Sequence, residues 1–300
     1  MKNLIWIFSL FLTATASYAS DVSITIDDFH LDAGPLLGPE TKDKRILAAL
    51  KRHGIQAALF VAAKNLSETP VSNKRLSYWD RAGHIIANHT FSHSNCNTTT
   101  FEVYTRDILK AERLLSGYKN FQKLFRFPML KEGETAEKRD LVRAFLAEHC
   151  YRNGYVTIDA SDWYINTRLI EKLEQDSEAD LKPYRDFYLK HIWERSQFYD
   201  DLAKKVLGHE VKHTLLTHHN LLNALFLDDL IKMYASKGWR VINASEAFSH
   251  PIYNEKPQIV PAGESLIWAL AKQSGEFENI LRYPGESEEY EKLEMDRLGL

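Results

Sequence analysis

The sequence predicts an α/β protein built around a parallel sheet. Short β-like runs alternate with helical stretches along most of the chain, and the run at 57–62 is continuously apolar, as suits a strand buried on both faces. The reactive side chains also fall just past the ends of the strand-like runs, where α/β sheets and barrels bind ligands.

Taken in order, residues 22–26 alternate apolar and polar side chains and read as a half-buried first strand. A helix follows over 40–52 and stops before Gly54. After the strand at 57–62 come a short helix at 74–82 and a short strand at 84–87. Val103, Ile108, Leu114 and Leu115 give 101–116 a helical period, ended by Gly117. A brief strand at 124–126, a helix at 135–150 and a strand at 155–158 come next. A strand at 213–217, a helix at 221–236 and a last strand at 239–242 complete the pattern. About seven β–α units result, which fit an open doubly wound sheet or a barrel.

Two regions break the rhythm. Residues 164–206 are long, charged and helical, and read as an insertion after the fifth strand. Residues 251–300 hold four prolines and end in a charged helical run; Trp268 and Leu270 mark them as an extension packed on the domain. Residues 1–19 combine Lys2, an apolar run and the small-residue ending Ser17-Tyr18-Ala19, the pattern of a secretory signal peptide. Its apolar run is too short to cross a bilayer, so the chain is expected to be exported, to a periplasm or the medium, with no stable membrane span. A formal net charge of −3 lacks the basic excess of a nucleic-acid binder. Export permits a disulfide between Cys96 and Cys150, and two separate thiols fit the sequence equally well.

The reactive residues group by strand. Asp27 and Asp28 follow the first strand, and His89 and His93 the third. Arg126 closes the fourth, Asp159 and Asp162 follow the fifth, and His218 and His219 the sixth. On a helical turn, His89 and His93 would share one face and one cation, with Asp28 as an oxygen ligand. Two imidazoles and a carboxylate leave a coordination position open for water, as a hydrolytic metal requires. Zinc suits the set best, while iron, cobalt, manganese or nickel accept the same donors. Asp27 is then the candidate base. Arg126 is a candidate to orient a carboxylate. His218 is the candidate acid, with His219 as its rival, and Asp159 the candidate partner of that histidine. The bland readings stand beside these: Asp-Asp suits a turn, and the histidine pair suits an ordinary surface. The remaining histidines show no grouping and read as surface or packing residues.

In this order the segments resemble the polysaccharide deacetylase family of carbohydrate esterases. Thr25-Ile26-Asp27-Asp28 is similar to its Thr-Phe-Asp-Asp motif, and His89-Thr90-Phe91-Ser92-His93 to its His-Ser/Thr-x-x-His segment. Arg126-Phe127-Pro128 resembles Arg-x-Pro, residues 159–163 resemble Asp-x-x-x-Trp, and Leu216-Thr217-His218 resembles Leu-x-His. The resemblance implies a distorted seven-stranded (β/α) barrel over 20–250. It implies a metal-dependent hydrolase that removes N-acetyl groups from amino sugars of a glycan. Asp27 would be base, Arg126 its positioner, and His218 the acid tuned by Asp159. Asp28, His89 and His93 would bind one divalent ion, and Trp163 and Leu216 would line the acetyl pocket. The sequence departs from the family pattern at Phe29, where glycine is usual, and at Met129, where an aromatic is usual. Met129 would offer a backbone N–H to the oxyanion, and Phe29 would stand at the mouth of the groove. These departures favour one rival, a hydrolase of another acyl amide, such as a formamido sugar or small acylated amine; an inactive glycan binder and a structural or interaction protein are the other two.

Overall fold

The computed structural model describes residues 20–29, 32–68, 70–283 and 285–300. The expected signal peptide at 1–19 and His30 lie outside these residues. The first half of the chain runs β1 (Asp21–Asp28), α1 (Pro39–Arg52), β2 (Ala58–Val61), α2 (Lys64–Glu68), α3 (Pro70–Arg81), β3 (Ile85–Asn88), α4 (Phe101–Leu115) and β4 (Phe121–Phe125). It continues through β5 (Lys131–Gly133), α5 (Ala136–Glu148), β6 (Arg152–Asn153), α6 (Asp162–Gln175), α7 (Lys182–Leu207), β7 (Lys212–His218), α8 (Leu221–Ser236) and β8 (Arg240–Ile242). The tail holds α9 (Ala244–Ala247), β9 (Ala262–Gly263), α10 (Leu266–Ser274) and α11 (Glu288–Leu298).

All pairs in the main sheet are parallel, in the order β6-β4-β3-β2-β1-β7, with β8 also pairing β1. The expected fifth strand at 155–158 is replaced by something shorter. Arg152 and Asn153 pair β4 at one edge, and Ile158 bridges Leu215 of β7 at the other. One stretch of six or seven residues therefore touches both edges and curls the sheet into a distorted barrel. Gly154 makes the crossing: its N–H reaches the Phe125 carbonyl at 2.7 Å, and a Cβ there would lie 2.5 Å from the Phe60 ring.

Helices cover the outside, and their buried stripes follow from sequence spacing. In α4 the stripe is Tyr104, Ile108, Ala111 and Leu115. Val103 and Leu114, expected to face inward, are exposed, because the stripe keeps the phase set by Tyr104. Helices α6 and α7 fill the charged region 164–206, and α7 buries Tyr188, Ile192 and Tyr199 against the body. Leu266, Ile267 and Trp268 of the tail belong to the same core as the barrel strands. No helix among the described residues is long and apolar enough to cross a membrane. Cys96 is buried, Cys150 is exposed, and both are free.

Register places the site. Asp28 pairs Val61, Val61 pairs Asn88, and Asn88 pairs Phe125. His89 and Arg126 are the next residues on their strands, so both emerge at the level of the aspartate pair. On the other side Asp27 pairs His218. The barrel's closure predicts that Gly154→Ala, which forces a methyl into the Phe60 ring, lowers unfolding stability by about 1–3 kcal/mol in a denaturant titration.

Candidate active site

The strand ends deliver Asp28, His89 and His93 to one point. His89 Nε2 lies 3.5 Å and His93 Nε2 3.1 Å from Asp28 Oδ1, and the three donor atoms lie within 4.8 Å of one another. The two histidines do not share a helical turn, as their spacing suggested. They sit on a loop after β3, where Thr90 (φ 64°) and His93 (φ 59°) are left-handed and fold the second ring back toward the first. Side chains hold this unusual backbone: Asn88 Oδ1 accepts the Thr90 N–H at 2.9 Å, and Asp107 accepts the Ser92 N–H at 2.9 Å.

The donor set suits a divalent cation. His89 Nδ1 lies 2.8 Å from the Arg126 carbonyl, which only accepts, so Nδ1 carries the proton and Nε2 presents a lone pair toward Asp28. Burial, opposed by the Asp27 charge, pushes the His89 pKa down to about 4, so the ring is neutral, as a ligand must be.

Asp27 takes a different place. Its Oδ1 accepts from Arg126 Nη1 at 2.7 Å, and its Oδ2 lies 3.7 Å from His89 Nε2. Arg126 is fully buried; it also donates to Thr25 Oγ1 and the Gly154 carbonyl, each at 2.8 Å, and lies over the Phe60 ring.

The histidine opposite is His218, and its partner is Asp162, not Asp159. Asp162 Oδ1 lies 2.6 Å from His218 Nδ1, while its Oδ2 accepts the His218 N–H at 3.0 Å and Asn220 Nδ2 at 2.9 Å. As first residue of α6, Asp162 points back at the end of β7. Asp159 lines the cavity instead; burial, reinforced by the charges of Glu286 and Glu264, drives its carboxyl well above the ordinary range and makes it a poor partner for an imidazolium. Burial opposes the charged form of His218, but the Asp162 charge and hydrogen bond, with Asp28 and Asp27 behind, outweigh it and push the ring up to about 10. His219 is no rival: its ring is fully buried, with Nε2 2.7 Å from Asp43 Oδ1.

Phe29 also departs from expectation. It is 0% exposed and lies outside the cavity wall, with its ring 5.2 Å from His219 and the Arg75 guanidinium 5.1 Å from its centre. Asp28 (φ 85°) and Phe29 (φ 65°) are consecutive left-handed residues, the conformation for which glycine is the easy choice. Here the ring's burial beside the Asp43–Arg75 ion pair, with Trp79 Nε1 3.1 Å from Asp43, holds the turn. The side chain that seemed to narrow the groove braces the aspartate pair from behind.

The cavity, of 520 Å³, is lined by Asp27, Asp28, His89, His93, Met129, Asp159, Trp163, Leu216 and His218. Of the residues expected at the site, Arg126 supports it from below and Phe29 from behind. Met129 is 52% exposed and left-handed, and Trp163 is 39% exposed. Sequence reasoning missed Leu130, Lys131, Glu264, Glu286, Ser287 and Glu288, which complete the wall. Four of these six come from the tail, and no local motif marks them. A second carboxylate–histidine group, His191, Glu286 and Glu291, is already engaged by cations: Arg282 Nη2 lies 3.0 Å from Glu286 and 2.9 Å from Glu291, and Arg195 3.3 Å from Glu286.

Fold and site together define an α/β-barrel protein with a two-histidine, one-carboxylate centre at the C-terminal edge of its sheet. A family profile described as polysaccharide deacetylase matches residues 17–144 of this chain. The peptidoglycan-N-acetylglucosamine deacetylase of Bacillus cereus is 28% identical over 145 residues, 48% of this chain and 46% of that protein. The match thus spans about half the length of each. A mutant of a Bacillus anthracis CE4 family pseudoenzyme, with restored enzymatic activity, superposes with a TM-score of 0.51 at 18% identity, covering 76% of this chain and 67% of that one. A point mutant of the peptidoglycan deacetylase PdaC from Bacillus subtilis gives 0.50 at 17% identity, covering 77% and 90%. At these identities the two structures bear on the fold alone.

The Asp162 contact predicts a pH signature. A raised His218 pKa stabilises the fold fully below its ordinary value near 6.5, and the contribution fades as pH rises through about 10. In metal-free protein, Asp162→Asn should return the His218 NMR titration toward the ordinary range. Its stability deficit should be greatest below about pH 6.5 and shrink as pH rises toward 10. Asp159→Asn should leave the His218 titration high.

Proposed function

We propose that the protein is a metal-dependent hydrolase that removes N-acetyl groups from amino sugars of a glycan. The observation that carries this reading is the convergence of Asp28, His89 and His93 opposite His218, with Asp27 held apart from the ligand set by Arg126. Asp28, His89 and His93 would hold one divalent cation, most suitably zinc, and a cation there supplies a Lewis acid that acidifies water and polarises an acyl oxygen.

The chain's own groups do the rest. Arg126 occupies Asp27 Oδ1, which leaves Oδ2 to take the proton from the attacking water. As water adds to the amide carbonyl, the left-handed turn at Met129 offers a backbone N–H to the oxygen that gains charge. His218, kept protonated by Asp162, then gives its proton to the amine nitrogen, the C–N bond breaks, and acetate and the free amine leave. Trp163 and Leu216 flank the small acyl group. The pattern of residues 1–19 supports a site of action outside the cytoplasm, in a periplasm or the medium, on a glycan substrate.

Chelation should abolish acetate release from N-acetylglucosamine oligomers, and zinc or cobalt should restore it. Asp27→Asn should lower turnover by about 10²–10⁴ while zinc binding by calorimetry persists, whereas His89→Ala should lose both. Formate release from N-formyl analogues outpacing acetate release would favour another acyl amide. No release with any metal would favour a glycan binder.

A further inference from the structure

Beside the site cavity lies a second cavity of 740 Å³, within the range of about 300–1,000 Å³ typical of small-ligand sites. The two share Lys131 and Glu264, whose side chains pair at the boundary. Nothing in the family motifs accounts for it. Apart from Asn97 and Lys131, its walls come from the tail.

We propose that residues 258–283 form a second sugar subsite, taking an uncharged pyranose ring of the same glycan next to the residue being deacylated. The proposal rests on the deacetylase reading and adds to it a place, built by the tail, for the neighbouring ring. Three observations carry it. First, Tyr283 is 63% exposed yet ordered from below. Its ring lies 6.0 Å from that of Trp268, tilted by 33°, and Trp268 is pinned by an Nε1 bond of 2.6 Å to the Arg282 carbonyl. The Tyr283 N–H donates to Tyr290 Oη at 2.8 Å. A fixed aromatic face suits the C–H face of a sugar ring, apolar on its flat and polar at its rim.

Second, the lining carries the amide side chains of Asn97 and Gln273; their oxygens accept the Gly133 and Gln258 N–H groups, which fixes the amides so that their NH2 groups can donate to sugar hydroxyls. Third, the charges cancel. Lys131 pairs with Glu264 and Lys272 with Glu278, and among the described residues no other charged side chain lines the cavity. Neither an anionic nor a cationic ligand finds a net counter-charge, so a neutral ring fits best.

The test separates this inference from the catalytic reading. Calorimetry with zinc-loaded Asp27→Asn protein and N-acetylglucosamine monomer to tetramer should show affinity rising at least tenfold from monomer to trimer. On that background Tyr283→Ala should erase the gain, Tyr283→Phe should keep it, and Leu293→Ala, on the exposed face of α11, should not change it. Affinity independent of length, or a gain that survives Tyr283→Ala, overturns the subsite. Length-dependent binding by a wild-type protein that releases no acetate leaves the subsite standing and removes the deacetylase reading. Acetate release without any length dependence does the reverse.

Discussion

The buried guanidinium of Arg126 is the constraint on which the rest of this site depends. Its Nη1 holds Asp27 from β1, its Nε holds the Gly154 carbonyl in the closing segment, and its face rests on Phe60 from β2. Its backbone N–H bonds Asn88 of β3, and its carbonyl takes His89 Nδ1. One residue thus fixes the candidate base, orients a candidate ligand and ties four barrel segments together. A buried charge is costly unless paired, and here the pairing with Asp27 also fixes the candidate base. Separating the two aspartates follows directly: the one Arg126 holds is kept from the ligand set, and Asp28, on its left-handed backbone, turns toward the histidines.

Much of this was legible in the sequence because register is a short-range consequence of pattern. Once the strands are aligned in parallel, side chains at their ends must meet at one edge, and Asp27, Asp28, His89, Arg126 and His218 did. What could not be read depends on side-chain direction and on contacts between distant segments. Asp159 and Asp162 are three residues apart and chemically identical. Only the start of α6 and the donors at His218 and Asn220 decide between them. Phe29 looked obstructive because the local motif expects glycine. The Asp43, Arg75 and His219 side chains that receive it lie 14 to 190 positions away in the chain. The histidine loop follows the same logic, since its left-handed residues are held by Asn88 and Asp107 rather than by a helical period.

The tail is the least legible part, and it supplies walls to both cavities. It pairs β9 antiparallel with β5, and the Glu264 N–H bonds the Leu130 carbonyl at 3.0 Å. The left-handed turn at Met129 and Leu130 is thereby clamped from outside the barrel. Gly263 must be glycine: a Cβ there would lie 1.9 Å from the Leu130 carbonyl oxygen. The same strand brings Glu264 against Lys131, so the segment that secures the turn also divides the two cavities.

The central claim is that the two aspartates divide their labour, one on the cation and one on Arg126. The most direct measurement is anomalous scattering from crystals of the zinc-loaded protein. The account predicts one ion bound by Asp28 and by His89 and His93 through Nε2, with Asp27 off the ion and still on Arg126. An ion ligated by Asp27, or one seated instead among His191, Glu286 and Glu291, would contradict it.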